Sequence, residues 1–319
     1  MAIQILILIA GLLLVVKGAD FLVDGATSIA RKAGISEFVI GLTIVGFGTS
    51  CPELVVSLTG AFAGNSDISI GNVVGSNICN TLLILGLTAL ISPIAITSSN
   101  RKRDIPVTVA ATLLLIIVGM KHSLFGLGDH DGISRVEAVF FLLMMAAYLY
   151  MCFRYDDGAD NDDIPQKTQK LPVALLFAAG GLAGLIAGGQ LFVNSATAIA
   201  KSLGVSDKFI AITILAVGTS LPELATCVVA AAKHKGQMAL GNILGSNVFN
   251  ILLILGCAGV VCPLDLSGMN FVDMGVMLAG VLVVLIGAFT WKKNLLDRVE
   301  ASMLLLLEAG YLTWLFMTI

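Results

Sequence analysis

The feature that most constrains this chain is a short motif that occurs twice, once in each half. The first copy, Gly48–Leu54, reads GTSCPEL, and the second copy, Gly218–Leu224, reads GTSLPEL; both lie within long apolar runs. A proline inside a helix has no N–H to donate and leaves a carbonyl of the preceding turn without its partner. A carboxylate at membrane depth is costly and usually functional. The duplication therefore predicts two broken helices, and paired breaks in two halves are typical of transporter sites.

Composition places the chain in a membrane. It is 57% hydrophobic and only 12% charged, with a mean hydropathy of +0.98, far from the soluble average. A net charge of −3 provides no basic surface for nucleic acid. The six cysteines have no metal-ligand spacing, and we interpret them as free thiols. Residues 2–16 have no positive segment before them, so we expect a retained helix rather than a signal peptide.

Hydropathy predicts an all-α protein with ten membrane spans in two halves. Each span is near the ~20 residues that a bilayer requires. The predicted spans are 2–30, 36–63, 68–91, 104–121, 133–153, 171–200, 206–232, 237–261, 271–290 and 297–317. We expect residues 1–153 to form a first five-helix repeat and residues 171–319 a second. The acidic segment 154–170 would be a cytoplasmic linker between them.

The two halves are sequence repeats in one register from about Gly18 to Pro93. Because each half has an odd number of spans, the second must enter the membrane in the opposite orientation. Basic residues largely exchange loops between the halves, as the positive-inside rule requires of an inverted copy. Both termini are therefore expected outside. Only four Lys and Arg residues then fall in outer loops: Lys121, Arg135, Lys201 and Lys208.

The third span of each half adds more polar residues. It contains Gly71–Asn80 in the first half and Gly241–Asn250 in the second. Ser76 and Asn80 are four positions apart and share a helix face. That face could simply form hydrogen bonds between helices, but beside Glu53 and Glu223 we favour ion ligands.

Inverted packing would bring Glu53 and Glu223 together near the midplane. Two close carboxylates in a low-dielectric site cannot both remain ionised without a cation. The pair could hold one divalent ion, two monovalent ions or protons, and these occupants would exclude one another. Oxygen ligands suit Ca2+. The residues therefore predict a cation antiporter for Ca2+ and leave the counter-ion open.

The paired GTSxPE motifs and the GSNxxN segments resemble the alpha-repeats of the calcium/cation antiporter superfamily, especially prokaryotic sodium/calcium exchangers. The resemblance covers nearly the whole chain. It implies ten helices in two inverted repeats, and alternating access in which the first and sixth helices slide across the core. It also implies Ca2+ ligands from Glu53, Glu223 and the Thr49 and Thr219 carbonyls. Flanking Na+ sites would use Ser50, Ser76, Ser220, Ser246 and the carbonyls of Gly46 and Ala216, with Asn80 and Asn250 completing the cluster.

This chain differs from some members of the superfamily at one position, because it has Asn250 where they have an acidic residue. The departure argues against K+ co-transport and leaves two carboxylates as the whole anionic complement. A proton/calcium antiporter is the first alternative. An intramembrane enzyme that uses two acids is a second alternative, but this chain has no Gly-x-Gly-Asp-type motif. A passive cation channel is a third, but inverted repeats around one central site fit alternating access better than a continuous pore.

We expect an inner (plasma) membrane location, no cofactor and no nucleic-acid partner. A monomer is compatible with the sequence, which does not give the oligomeric state. The acidic residues 156–163 lack the spacing of a calcium-binding loop and are interpreted as a solvated linker. Asp20 and Asp24 are expected to be simply solvated near the outer surface.

Overall fold

The first half of the chain is almost entirely helical. The computed structural model describes residues 2–156, 169–203, 216–266, 269–289 and 294–318. The helices of the first half are α1 (Ala2–Ala33), α2 (Glu37–Ile40), π1 (Gly41–Val45), α3 (Gly46–Thr49), α4 (Cys51–Phe62), α5 (Ser66–Ile78), π2 (Cys79–Ile84), α6 (Leu85–Ile91), π3 (Asn100–Asp104), α7 (Ile105–Gly119), α8 (Lys121–Phe125) and α9 (Arg135–Arg154). Two short strands are β1 (Ile94–Ala95) and β2 (Gly132–Ile133).

The described part of the second half repeats much of this order. Its helices are α10 (Leu171–Ser202), α11 (Ala216–Thr219), α12 (Leu221–Ala232), α13 (Gly236–Val248), π4 (Phe249–Ile254), α14 (Leu255–Val261), α15 (Phe271–Phe289) and α16 (Arg298–Thr318). Its strands are β3 (Leu264–Asp265) and β4 (Leu295–Leu296). The π turn between α5 and α6 is matched, at the equivalent position of the repeat, by the π turn between α13 and α14.

The structure is that of a membrane protein. Within the described residues, seven unbroken helices are long and apolar enough to cross a membrane. Glu37–Thr49 and Cys51–Phe62, bent by 47° at their junction, would form an eighth span. The helices Ile105–Gly119 and Leu221–Ala232 are shorter, with 15 and 12 residues. Ten spans therefore stay a prediction, and the seventh predicted span lies partly outside the described residues.

Both predicted helix breaks are confirmed. They occur at Ser50 and Ser220, which have nearly the same backbone angles (φ −84°, ψ 5° and φ −85°, ψ 5°). Pro52 and Pro222 follow in the first turn of the new helices α4 and α12. A proline is well tolerated there because the first N–H groups of a helix have no helical acceptor. Each motif thus ends one helix and starts the next at the same point.

The broken and π-containing helices form a buried centre, and two long helices lie against it. Of the most apolar window in each helix, 67% is buried in Ser66–Ile91 and 83% in Gly236–Val261, but only 28% in α1 and in α10. The helices α1 and α10 run antiparallel at very short range. A Cβ added to Gly181 would lie 2.4 Å from the Leu22 nitrogen, and one added to Gly25 would lie 2.5 Å from the Ala178 nitrogen. Small residues allow this approach.

Two pairs of strands cross-connect the halves. The strand β1 pairs antiparallel with β4, and β2 pairs antiparallel with β3. Each pair therefore joins the residues after a π-containing helix of one half to the residues before the last helix of the other half. This exchange fixes the ends of four helices around the buried centre.

The glycine contacts give a matched test of packing. A Cβ on Gly241 would lie 2.2 Å from the Phe38 carbonyl oxygen, whereas a Cβ on its repeat counterpart Gly71 would meet nothing within 4 Å. We expect Gly241→Ala to destabilise the protein by about 1–3 kcal/mol, as overpacking does. Gly71→Ala should be neutral or slightly stabilising, because alanine favours helix. Thermal unfolding of both variants in detergent measures the difference, and equal melting temperatures would contradict this close packing.

Candidate ion-binding site

The site is organised by two buried carboxylates. Glu53 and Glu223 lie in the first turns of α4 and α12, directly after the breaks, and each is 1% exposed. The two groups lie close enough to interact electrostatically. Both carboxylate oxygens of Glu53 and Oε2 of Glu223 have no hydrogen bond of ordinary geometry. A buried charge is very costly unless it is paired, so the pair requires a cation or a proton.

Hydroxyl groups from each half reach the acid of the other half. Ser50 Oγ donates to Glu223 Oε1 at 3.1 Å and lies 3.0 Å from Ser246 Oγ. Thr49 adjoins Glu223, and Thr219 adjoins Glu53. The sequence prediction that the two motifs converge on one centre therefore agrees with the geometry.

Two amide oxygens complete the buried polar centre. Asn80 and Asn250 lie in the π turns, each 1% exposed, and the Oδ1 atom of each has no hydrogen-bond partner. Asn250 Nδ2 donates to Asn77 Oδ1 at 2.9 Å, which fixes this amide. A π turn displaces a side chain from the regular helical position and is frequent at functional sites.

The other predicted ligands differ in whether their oxygen atoms already take part in hydrogen bonds. Ser76 and Ser220 are buried, and Ser220 Oγ has no hydrogen-bond partner. The Gly46 carbonyl already accepts from Ser50 N at 3.1 Å, and it lies 3.5 Å from Ser246 Oγ. Ala216 is the first residue of α11, and only its backbone is described.

The sequence analysis did not predict the network of asparagine hydrogen bonds that surrounds the centre. Asn77 Nδ2 donates to the Asn247 carbonyl at 3.2 Å, and Asn247 Nδ2 donates to Thr81 Oγ1 at 2.7 Å. Asn242 Oδ1 accepts from Thr49 Oγ1 at 3.2 Å, and Asn72 Nδ2 donates to the Glu53 carbonyl at 3.0 Å. These residues belong to the repeated GN and GSN segments, so the repeat was the signal that could have identified them.

The centre depends on oxygen atoms rather than on a cluster of acids. None of the ion pairs among the described residues involves Glu53 or Glu223. In the same part of the chain, no three or more His, Cys, Asp or Glu side chains form a metal-binding group. A bound cation would thus be held by two carboxylates with hydroxyl, amide and carbonyl oxygens, the ligand set of hard cations.

A cavity of about 420 Å³ adjoins the breaks. Thr219 and Gly218 line its inner end, and Cys51 and Val55 line one wall along α4. Residues of α10 form the other wall: Ile186, Gly189, Gln190 and Val193. Thr219 is partly exposed, whereas its repeat counterpart Thr49 is 0% exposed.

One expectation is wrong. Asp20 and Asp24 are not simply solvated near the outer surface, because Lys233 Nζ lies 2.5 Å from Asp20 Oδ1 and 2.6 Å from Asp24 Oδ1. The predicted topology places Lys233 in an inner loop, so it places both aspartates towards the inner side as well. Lys233 is at the end of α12, far away in sequence, so the pairing depends on how α1 crosses the core. The first residue of the acidic segment 156–163 contacts the first half of the chain, because Asp156 Oδ2 accepts a hydrogen bond from Ser36 N at 2.8 Å. Residues 157–163 lie outside the described residues.

Comparisons with known proteins agree with this architecture. A family model described as "Sodium/calcium exchanger protein" matches residues 3–154 and 173–317. The chain is 38% identical to the putative antiporter CaxA of Alkalimonas amylolytica over 99% of each chain. It is 34% identical to the sodium/calcium exchanger MaX1 of Methanosarcina acetivorans, covering 98% of this chain and 99% of the relative.

A solved structure has the same overall fold. The sodium-calcium exchanger NCX_Mj, soaked with Na+ and Ca2+, superposes with a TM-score of 0.84 at 32% identity, covering 98% of each chain. The match therefore extends through both halves. On this combination of fold, site and similarity, the chain belongs to the sodium/calcium exchanger family of membrane proteins.

Proposed function

We propose that this protein is a secondary antiporter that exchanges Na+ for Ca2+ across a membrane by alternating access. The observation that carries the proposal is the buried pair Glu53 and Glu223, which has three carboxylate oxygens without hydrogen-bond partners. One Ca2+ ion between the two groups would neutralise both. Two Na+ ions would neutralise them equally well, so each occupant excludes the other and their fluxes are coupled. The names of MaX1 and NCX_Mj support Na+ as the counter-ion.

The proposed ligands follow from the site geometry and the family resemblance. Glu53 and Glu223 hold Ca2+ together with the Thr49 and Thr219 carbonyls, and Asn80 and Asn250 supply amide oxygens. Hydroxyl and carbonyl oxygens on either side hold Na+. These flanking groups are Ser50, Ser76, Ser220, Ser246, Gly46 and Ala216.

The finer architecture is part of the same proposal. Ten spans form two inverted five-helix repeats, 1–153 and 171–319, joined by the linker 154–170. The equal backbone angles at Ser50 and Ser220 and the reciprocal strand pairs β1–β4 and β2–β3 support this symmetry. The protein lies in the plasma membrane with both termini outside, which follows from the distribution of basic loops.

A proton/calcium antiporter is the second candidate. Protons could neutralise the same pair, because like charges this close cannot both remain ionised. The hydroxyl groups around the carboxylates favour Na+, since a proton needs no shell of oxygen ligands. An intramembrane hydrolase is disfavoured, as the family consists of exchangers.

Ion binding should stabilise the folded protein. A ligand that binds only the native state raises stability by RT ln(1 + [L]/Kd), or about 2.7 kcal/mol at a hundredfold excess over Kd. We therefore expect Ca2+ to raise the melting temperature of the purified protein by several degrees and Na+ to compete with this effect. Glu53→Gln should abolish the shift. Asp67→Asn, which removes an exposed carboxylate at the start of α5, should retain it.

Transport itself is tested by uptake of radioactive Ca2+ into proteoliposomes. Vesicles loaded with Na+ should take up Ca2+, whereas vesicles loaded with K+ should not. Glu53→Gln and Glu223→Gln should each reduce the rate to the background of protein-free vesicles, because either change removes half of the anionic charge. Asp67→Asn again serves as the control for removal of a carboxylate.

Two outcomes would overturn parts of this proposal. Uptake that is driven by a pH gradient and indifferent to Na+ would establish the proton antiporter. Absence of Ca2+ flux under either gradient, from protein that shows normal thermal unfolding, would mean that another cation is the substrate.

A further inference from the structure

The two faces of the protein differ in access to the centre. The cavity lined by Cys51 and Gln190 reaches Thr219 from one face, which we term the cavity face. The repeat counterpart of this route would pass Leu221 and Asp20 towards Lys233, at what we term the Lys233 face. Leu221 is 9% exposed there, whereas Cys51 is partly exposed. Among the described residues, the approach to the centre is therefore more open beside Cys51 than beside its counterpart Leu221.

Ion pairs link α1 to the end of α12 at the Lys233 face. Lys233 ends α12, and its Nζ contacts Asp20 and Asp24 of α1 at 2.5 and 2.6 Å. The same ammonium donates to the Asp20 carbonyl oxygen at 3.2 Å. The three side chains remain 29–44% exposed. One ammonium group thus links the long peripheral helix α1 to α12, whose first turn contains the site residue Glu223.

The counterpart positions on the cavity face carry no charged side chains. In the register that aligns Gly218 with Gly48, Lys233 corresponds to Ala63, Asp20 to Gln190 and Asp24 to Asn194. All three charges are absent from these positions, and Gln190 Nε2 donates to Asn194 Oδ1 on its own helix instead. The charge asymmetry in the sequence therefore coincides with the difference in access between the faces.

We propose that the Lys233–Asp20–Asp24 cluster is a latch that holds the Lys233 face closed while the cavity face is open. The proposal rests on alternating access as described above, because closure of one face must alternate with closure of the other. The face opens when α1 moves away from α12, and this movement separates Lys233 from both carboxylates.

A neighbouring ion pair, between Lys235 and Glu37, lies within the buried centre rather than between the centre and α1. Lys235 Nζ lies 2.6 Å from Glu37 Oε1, and the two side chains are only 5% and 9% exposed. Lys235 precedes α13 and Glu37 begins α2, so this pair joins two pieces of the buried centre. Lys233 instead joins the centre to the outer helix α1, whose apolar window is only 28% buried. The latch is thus placed at a boundary where helices can slide.

The repeat provides a matched pair of reporters. In one protein, Cys51 is kept and the other five cysteines are replaced by alanine, so that a thiol reports on the cavity face. In the other, all six native cysteines are replaced and Leu221→Cys places a thiol at the counterpart position. The labelling rate of each purified protein with a hydrophilic maleimide, without Na+ or Ca2+, measures how often each face is open.

Loss of the latch should open only one face. We expect Lys233→Gln to speed labelling of the Leu221→Cys reporter by about three- to tenfold, the range expected for losing two partly exposed ion pairs. Labelling of Cys51 should be unchanged or slower. Asp20→Asn with Asp24→Asn should reproduce the effect, and adding Lys233→Gln to that pair should produce little further change. Lys17→Gln removes an exposed charge from the same helix and should have no effect.

Several results would overturn the latch. Equal labelling in the Lys233→Gln and Lys17→Gln proteins would show that the ion pairs do not hold the face closed. Faster labelling of both reporters would indicate general loosening of the fold. Since the labelling needs neither ion, a positive result combined with absent Ca2+ flux would overturn the exchanger proposal and leave the latch intact.

Discussion

Two carboxylates are buried together at the centre of this protein, and no lysine or arginine among the described residues pairs with them. Glu53 and Glu223 are 1% exposed and have no ion-pair partner among the described residues. Burial of one unpaired charge is expensive, and burial of two is prohibitive. The pair therefore needs protons or cations to neutralise it, and in the proposed function this requirement couples one ion to another.

The surrounding architecture supplies oxygen atoms to that centre. The breaks at Ser50 and Ser220 present hydroxyl groups and carboxylates at helix starts, and the π turns present amide oxygens. The asparagine network ties these pieces together across the halves. By contrast, α1 and α10 pack on each other through glycines, and α10 meets the breaks with apolar side chains, Leu182 at Gly48 and Val193 at Gly218.

Much of the centre could be predicted from the sequence because each unusual motif occurs at equivalent positions in both halves. A proline and a glutamate inside an apolar run predicted the breaks, and their recurrence in the second half predicted that the two acids converge. The polar face of Ser76 and Asn80 followed from helical spacing. These inferences depend on local chemistry and on one constant repeat register, both of which a single sequence displays.

Other features depend on three-dimensional packing and could not be read from the chain. Lys233 and Asp20 are far apart in sequence, and their pairing follows from the crossing of α1 over α12. Gly71 and Gly241 are equivalent in sequence, yet a Cβ meets empty space at one and the Phe38 carbonyl at the other. The availability of particular carbonyls, such as the hydrogen-bonded one of Gly46, also depends on partners from the opposite half.

We expect one cation to bind between the two carboxylates, and crystallography with Sr2+ would locate it. Strontium resembles Ca2+ in its preference for oxygen ligands and gives a strong anomalous signal. The account predicts a single anomalous peak within coordination distance of both Glu53 and Glu223, which weakens when crystals are transferred to high Na+. A peak elsewhere, or no peak between the carboxylates in well-ordered crystals, would contradict the account.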